Sequence, residues 1–253
     1  MATYALAVTL GRGHFAALNL ALLLGATVGL GLFVFAQTRV ASPLIRLTLF
    51  RNPVLSGGLA MSTLVATVIM TTLVIGPFYL AHGLGLNPMV TGMVLAVGPC
   101  VAAITGLPAG RVADRFGAQR MTTVGLVAMA LGCLALSLLP QPLGIAGYVV
   151  PMVVLTLGYA VFQTANNTTI MSDVAADQRG VVAGMISLSR NLGLITGASA
   201  MGAVFAFASQ TAEVAGASPQ AIGHGMRVTY GVAFGLILLA LALSCRSELA
   251  RDS

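Results

Sequence analysis

An all-α, polytopic membrane bundle of about seven transmembrane helices is the fold class this sequence predicts, on three observations. The 253 residues are 58% hydrophobic and 7% charged, with a mean hydropathy of +0.98, whereas soluble domains carry about 25% charged residues. The apolar residues fall into runs long enough to cover a hydrocarbon core of about 30 Å at a helical rise of about 1.5 Å per residue. These runs are also too long and too uniformly apolar for barrel strands, which alternate in polarity over about 10 residues.

Met1 to Leu10 is apolar but too short to cross, and it lacks the basic leader and cleavage site of a signal peptide. It is expected to be the end of a further span. Phe15 to Ala36 is the first complete run, and Pro43 to Asn52, with Arg46 and Arg51, reads as a connection at the membrane surface. Six runs follow: Ser56 to Ala81, Val90 to Ala109, Met121 to Leu139, Ile145 to Thr168, Val181 to Ala208 and Val228 to Cys245. The chain therefore divides into a linker region, 1–52, a six-helix bundle, 53–246, and a tail, 247–253.

Arginine sets the orientation, because loops that stay in the cytoplasm retain positive charge near span ends. Threading alternate sides puts Arg39, Arg46, Arg51, Arg111, Arg115, Arg120, Arg179, Arg246 and Arg251 on one side and Arg12 and Arg227 on the other. The first side, with the 110–120 segment and the C-terminus, is assigned to the cytoplasm. The basic balance reports topology, and no nucleic-acid partner is expected. Cys100, Cys133 and Cys245 fall in apolar runs without CxxC spacing and read as buried free thiols. His14, His82 and His224 lie on the opposite side as ordinary loop residues. No metal or cofactor is expected.

Between two uncharged runs lies Gly110-Arg111-Val112-Ala113-Asp114-Arg115-Phe116-Gly117-Ala118-Gln119-Arg120. It reads as a short loop, with Asp114 close to the N-terminus of the following helix, where unpaired N–H groups and the helix dipole favour a carboxylate. Gly110 and Gly117 allow close helix approach and a sharp turn. Arg111, Arg115 and Arg120 are placed to pair with Asp114 or a neighbouring helix end, forming a latch made in one packing of the spans and broken in another.

The spacing Gly-x-x-x-Asp-Arg-x-Gly-x-x-Arg after an apolar run resembles the signature loop of the major facilitator superfamily, a large group of secondary transporters. Gly110, Ala113, Asp114, Arg115, Gly117 and Arg120 match, while Ala118 and Gln119 stand where the family usually has a basic pair. Two further stretches resemble one branch, the fourteen-span drug:proton antiporters. Pro43 to Asn52 is similar to the segment leading into the C-terminal half. Ala165 to Met171, Arg179-Gly180-Val181, Gly184-Met185 and Arg190-Asn191-Leu192-Gly193 are similar to the join between that half's fourth and fifth spans. The resemblance implies that residues 53–246 are the C-terminal half of such a transporter, that Phe15 to Ala36 is a linker helix, and that the Asp114 loop biases an inward–outward equilibrium.

The resemblance also implies that the first and fourth spans of the half, Ser56 to Ala81 and Ile145 to Thr168, line a central cavity. Their polar residues form stripes: Thr63, Thr67 and Thr71 recur every fourth residue, and Thr156, Tyr159, Gln163 and Asn166 recur at near-helical spacing, with Asn167 adjacent. These residues are the candidate substrate pathway. For the threonines a second reading stays open, since their hydroxyls can bond the carbonyl four residues back. Gln163, Asn166 and Asn167 need a cavity or another helix, because an unpaired amide in hydrocarbon costs several kcal/mol. Met70, Phe78 and Tyr79 offer apolar contact for a greasy substrate.

Arg190 is the one charge within a span, roughly 15 Å along its helix from Gly180, and is expected to make a conformation-dependent contact near the inner end of the cavity. Gly193, Gly197, Ala198 and Gly202 form a small-residue packing seam. The six acidic residues, Asp114, Asp173, Asp177, Glu213, Glu248 and Asp252, all lie outside the apolar runs. Proton-coupled antiport requires an embedded acid, so coupling is expected on an absent N-terminal half.

The functional expectation is secondary transport, as part of a proton-coupled efflux transporter for lipophilic or cationic small molecules working by alternating access. The expected location is the plasma membrane, the inner membrane in a bacterium, with the lipid bilayer and the missing half as partners. The alternatives are a half-size subunit that pairs with itself or another chain, and a non-transporting membrane scaffold. Nothing resembles an enzyme's catalytic set: HExxH, an intramembrane His or Asp pair and a phosphate-cradling loop are all missing.

Overall fold

The computed structural model describes residues 52–138, 143–172, 174–210 and 218–252. Met1 to Leu10, the linker helix from Phe15 to Ala36 and the connection from Pro43 to Arg51 lie outside the described residues. So do Asp173 and Glu213. The rest is helical: α1 (Pro53–Phe78), α2 (Pro88–Phe116), α3 (Ala118–Leu138), α4 (Gly144–Ser172), α5 (Arg179–Ser209) and α6 (Pro219–Asp252), with a π-helical turn, Tyr79–Gly83, continuing α1. Among the described residues, six helices are long and apolar enough to cross a membrane. Residues 247–252, expected as a tail, continue α6.

Local chemistry explains the starts and breaks. Asn52 caps α1, its side chain accepting hydrogen bonds from the Val54 and Leu55 amides, with Pro53 in the first turn. Asn87 and Pro88 repeat the arrangement at α2, where the Asn87 side chain accepts from the Val90 amide. Such caps satisfy otherwise orphaned N–H groups, and proline's fixed φ suits the first helical turn. Pro77 removes a backbone donor near the end of α1, and the helix widens into the π turn immediately afterwards.

The expected loop after Gly110 is absent. Residues 110 to 116 are the last turns of α2, and Gly117 alone separates α2 from α3. The reason is Gly117's backbone, at φ 89° and ψ 129°, a conformation open to glycine and strained for a residue with a Cβ. One such residue reverses the chain, so the charged segment remains helical.

Helices α3 and α6 run antiparallel, as contacts near both of their ends show. Near the arginine-rich end, Thr123 Oγ1 and Ser244 Oγ share a hydrogen bond of 3.1 Å. At the other end Ser137 Oγ donates to the Arg227 carbonyl at 3.0 Å. The largest of three core clusters among the described residues joins the helices through Val65, Val68, Ile75, Leu126, Met129, Leu155, Phe162, Met201, Met226 and Ile237. Tyr79 and Tyr148, with ring centroids 5.8 Å apart, join α1 to α4 at the end away from the arginines.

Two helix pairs pack backbone to backbone. In α3 and α4, Gly125 lies against the Phe162 amide and the Gly158 carbonyl, where an added Cβ would come within 2.6 and 2.8 Å. In α1 and α5, Gly193 lies against the Thr63 carbonyl and Gly197 against that of Thr67. Small residues permit this approach, which gains dispersion contact where lipid supplies no hydrophobic drive. Cys133 is buried as expected, but Cys100 and Cys245 are exposed on the outer surface of the bundle. Apolar composition placed them in spans without saying which face of the helix they occupied.

Candidate functional site

A shallow cleft, half open and with an interior of only about 20 Å³, lies where α1, α4 and α5 meet. From α1 it takes Ser62, Val65 and Ala66; from α4, Tyr159, Phe162, Gln163 and Asn167; from α5, Ile186 and Arg190. Tyr159, Gln163 and Asn167 stand four residues apart, and so do Ile186 and Arg190, so each helix offers one face. Arg190 is exposed to this cleft, and among the described residues it forms no ion pair.

Four of the expected residues therefore converge: Tyr159, Gln163, Asn167 and Arg190. The others do not. Thr63 Oγ1 donates to the Leu59 carbonyl at 3.1 Å and to the Ser189 carbonyl of α5 at 3.2 Å. Thr67 Oγ1 donates to Thr63 O at 2.9 Å and to Gly193 O at 3.1 Å. Thr71 is fully buried and its hydroxyl approaches Thr67 O at 3.4 Å. The threonine stripe thus clamps α1 onto α5. Threonine hydroxyls bond the preceding turn readily, and the glycine backbones of α5 come close enough to accept as well.

Thr156 is buried and bonds Met152 O at 2.9 Å, away from the cleft. Asn166 points into α1, its Nδ2 donating to Gly58 O at 3.1 Å and to Ser62 Oγ at 2.9 Å. It is an interhelical tie, adjacent in sequence to Asn167 but about 100° around the helix from it. Phe78 stacks on Phe205 at 6.3 Å, Tyr79 is 3% exposed in the core and Met70 packs on Gly197, so none of the three reaches the cleft.

Ser62 belongs to the cleft and was not among the expected residues. Its signal was the small-residue ladder Gly58, Ser62, Ala66, which lets α4 close on α1. Asn166 donates to Ser62 Oγ, leaving the hydroxyl proton available to another acceptor. The lining contains no carboxylate. Arg190, the Gln163 and Asn167 amides and the Ser62 and Tyr159 hydroxyls make it rich in donors, beside the partly exposed Ile186 and over a floor closed by the buried Val65 and Phe162.

The charged segment forms a second, separate feature. Arg111, Asp114 and Arg115 occupy neighbouring positions on the last turns of α2, and Arg120 begins α3. Asp114 sits in the final turn of α2 and not at the start of a helix, so α2's own dipole opposes it and the flanking arginines supply the compensating field. All four charged side chains are exposed, and among the described residues none forms an ion pair with another. Arg115 lies over the Phe116 ring at 5.6 Å. Gly110 approaches α4, with Thr164 Cγ2 4.0 Å from the position of an added Cβ.

Comparison with known proteins agrees with this architecture. The chain is 31% identical over 209 residues to the multidrug efflux pump LfrA of Mycolicibacterium smegmatis, an alignment covering 80% of this chain and 40% of LfrA. It is 30% identical to the uncharacterized transporter YebQ of Escherichia coli, over 66% of this chain and 36% of YebQ. It is 26% identical to the quinolone resistance protein NorB of Staphylococcus aureus, over 75% of this chain and 41% of NorB. The chain thus spans less than half the length of these relatives. Its fold is similar to that of a mutant of the nucleoside transporter NupG, with a TM-score of 0.66 and 16% identity over 98% of this chain and 64% of that one. It also resembles a mutant of the peptide transporter POT, with a TM-score of 0.60 and 17% identity over 76% of this chain and 37% of that one. The profile of the Major Facilitator Superfamily matches residues 16–198. With six membrane-crossing helices among the described residues, that match and these relatives, the chain belongs to the Major Facilitator Superfamily and is an integral membrane protein.

Proposed function

We propose that this chain is the substrate-binding, C-terminal half of a small-molecule efflux transporter, which moves its substrate by rocking against an N-terminal half. Residues 53–246 form the half. The observation that carries the reading is the cleft between α1, α4 and α5, where Tyr159, Gln163, Asn167 and Arg190 meet inside membrane-crossing helices. Polar side chains at that depth are costly unless they face water, a partner or a ligand. Transporters of this architecture place substrate at the interface of their two repeats.

Under this reading the arginine-rich end is cytoplasmic, in a plasma membrane. The Gly110–Arg120 segment acts as a latch across the α2–α3 hairpin, and its charged side chains reach the other half in one state only. Protons are coupled by the N-terminal half, since no acidic side chain lines the cleft. LfrA's name as a multidrug efflux pump supports a drug-like substrate.

The test is substrate efflux from proteoliposomes, with a proton gradient imposed, comparing this chain alone with this chain joined to a six-span N-terminal half of a relative. Gradient-driven efflux is expected only from the joined protein. Proton-driven efflux by this chain alone would overturn the assignment of coupling, and no flux from a folded joined protein would overturn the transport reading.

A further inference from the structure

The cleft has a definite charge character. Its one ionised group is the Arg190 guanidinium, and the remaining polar lining, Ser62, Tyr159, Gln163 and Asn167, is neutral. A lipophilic cation seated there would place two positive charges together within the membrane-crossing region, where water screens little. A ligand with one negative charge would cancel the guanidinium and leave a neutral complex. Guanidinium matches carboxylate in a planar, two-bond fork, and amides four residues apart on α4 can donate to the same oxygens.

We propose that the cleft recognises a carboxylate-bearing amphiphile, its acid group held at the mouth by Arg190, Gln163 and Asn167 and its apolar body lying over the partly exposed Tyr159 and Ile186. This rests on the transport reading and narrows its substrate class from lipophilic or cationic molecules to monoanions and zwitterions. A phosphate monoester fits less well, because its second charge has no partner in the lining. A carboxylate from the other half of the transporter is the competing occupant of Arg190.

Binding is measured on the full 253-residue chain in phosphatidylcholine nanodiscs, using dansylglycine, dansylglycine methyl ester, and tetraphenylphosphonium as competitor. The chain contains no tryptophan, so energy transfer from that residue does not complicate the dansyl signal. The acid is expected to bind at least about tenfold more tightly than its ester, the least that one charge-assisted contact supplies. Arg190→Gln should abolish that preference and Arg190→Lys should keep part of it, with helix content by circular dichroism as the folding control.

Equal affinity for acid and ester, or a preference that survives Arg190→Gln, overturns the proposal. Loss of acid binding in phosphatidylglycerol nanodiscs also overturns it, by assigning the anion to a lipid headgroup. The wild-type comparison of acid and ester decides the matter even if a variant fails to fold. Displacement of the ester by tetraphenylphosphonium without any acid preference leaves transport standing and removes only the anion selectivity.

Discussion

Gly193→Ala tests the seam that holds Arg190's helix in place. An added methyl at residue 193 overlaps the Thr63 carbonyl oxygen and comes within 2.7 Å of the Ala66 methyl. The Thr63 carbonyl belongs to the backbone of α1, so α1 and α5 must separate rather than a side chain turn aside. Overpacking of this kind costs about 1–3 kcal/mol. Separation also stretches the Thr63–Ser189 and Thr67–Gly193 hydrogen bonds, each worth about 0.6 kcal/mol between membrane helices. Alanine returns up to about 1 kcal/mol of helix propensity. The net expectation is a destabilisation of about 1–3 kcal/mol, or a factor of about 5–150 in the unfolding equilibrium.

The assay is dodecyl-sulfate-driven unfolding in mixed micelles, followed by far-ultraviolet circular dichroism. Gly184→Ala on the same helix is the control, because nothing lies within 4 Å of its added methyl. If Gly193→Ala and Gly184→Ala unfold within about 0.5 kcal/mol of each other, α5 does not pack backbone to backbone on α1 and the placement of Arg190 loses its basis.

Asn166→Leu should destabilise by about 1 kcal/mol, since it removes two hydrogen bonds that tie α4 to α1, each worth about 0.6 kcal/mol between membrane helices; the same unfolding assay reads it. Gly117→Val should destabilise by about 1–3 kcal/mol through backbone strain at φ 89°, whereas Gly110→Ala, whose added methyl meets Thr164 only at an ordinary contact distance of 4.0 Å, should unfold with wild type. Gln163→Leu should lower efflux by the joined two-half transporter severalfold with unfolding unchanged, and equal flux would remove Gln163 from the pathway. Maleimide labelling of the native chain in detergent should modify Cys100 and Cys245 while sparing Cys133. Rapid labelling of Cys133 would show that the α3–α6 core opens.

The helices were legible because a bilayer enforces a one-dimensional rule: a run of apolar residues long enough to cross satisfies its backbone internally wherever it lies. Run lengths therefore placed α1 to α6 to within a few residues at most ends. The charged segment from Gly110 to Arg120 was legible as a motif and misread as a loop, because its charge suggested exposure while helicity depended on whether one residue, Gly117, could reverse the chain. The far end of α6 was missed for a similar reason. Charge after Cys245 marked the membrane boundary, and the helix continues past it to Asp252.

The candidate site divided more sharply. Periodicity established that Thr63, Thr67 and Thr71 share a face, and that Tyr159, Gln163 and Asn167 share another. It could not say what either face meets, since a hydroxyl four residues after a carbonyl is satisfied equally well at a cavity or at a helix contact. Packing decided it: Gly193 and Gly197 bring α5 onto the threonines and seal them, while Gly58, Ser62 and Ala66 bring α4 near α1 and leave the Gln163–Asn167 face open toward Arg190. Composition and run length by themselves determined a membrane bundle and the order of its helices, because those follow from the free energy of moving each segment into lipid. Only the tertiary structure decided which polar stripe became a clamp and which a cleft, because that depends on how closely particular backbones approach, and glycines on one helix set that distance for residues on another.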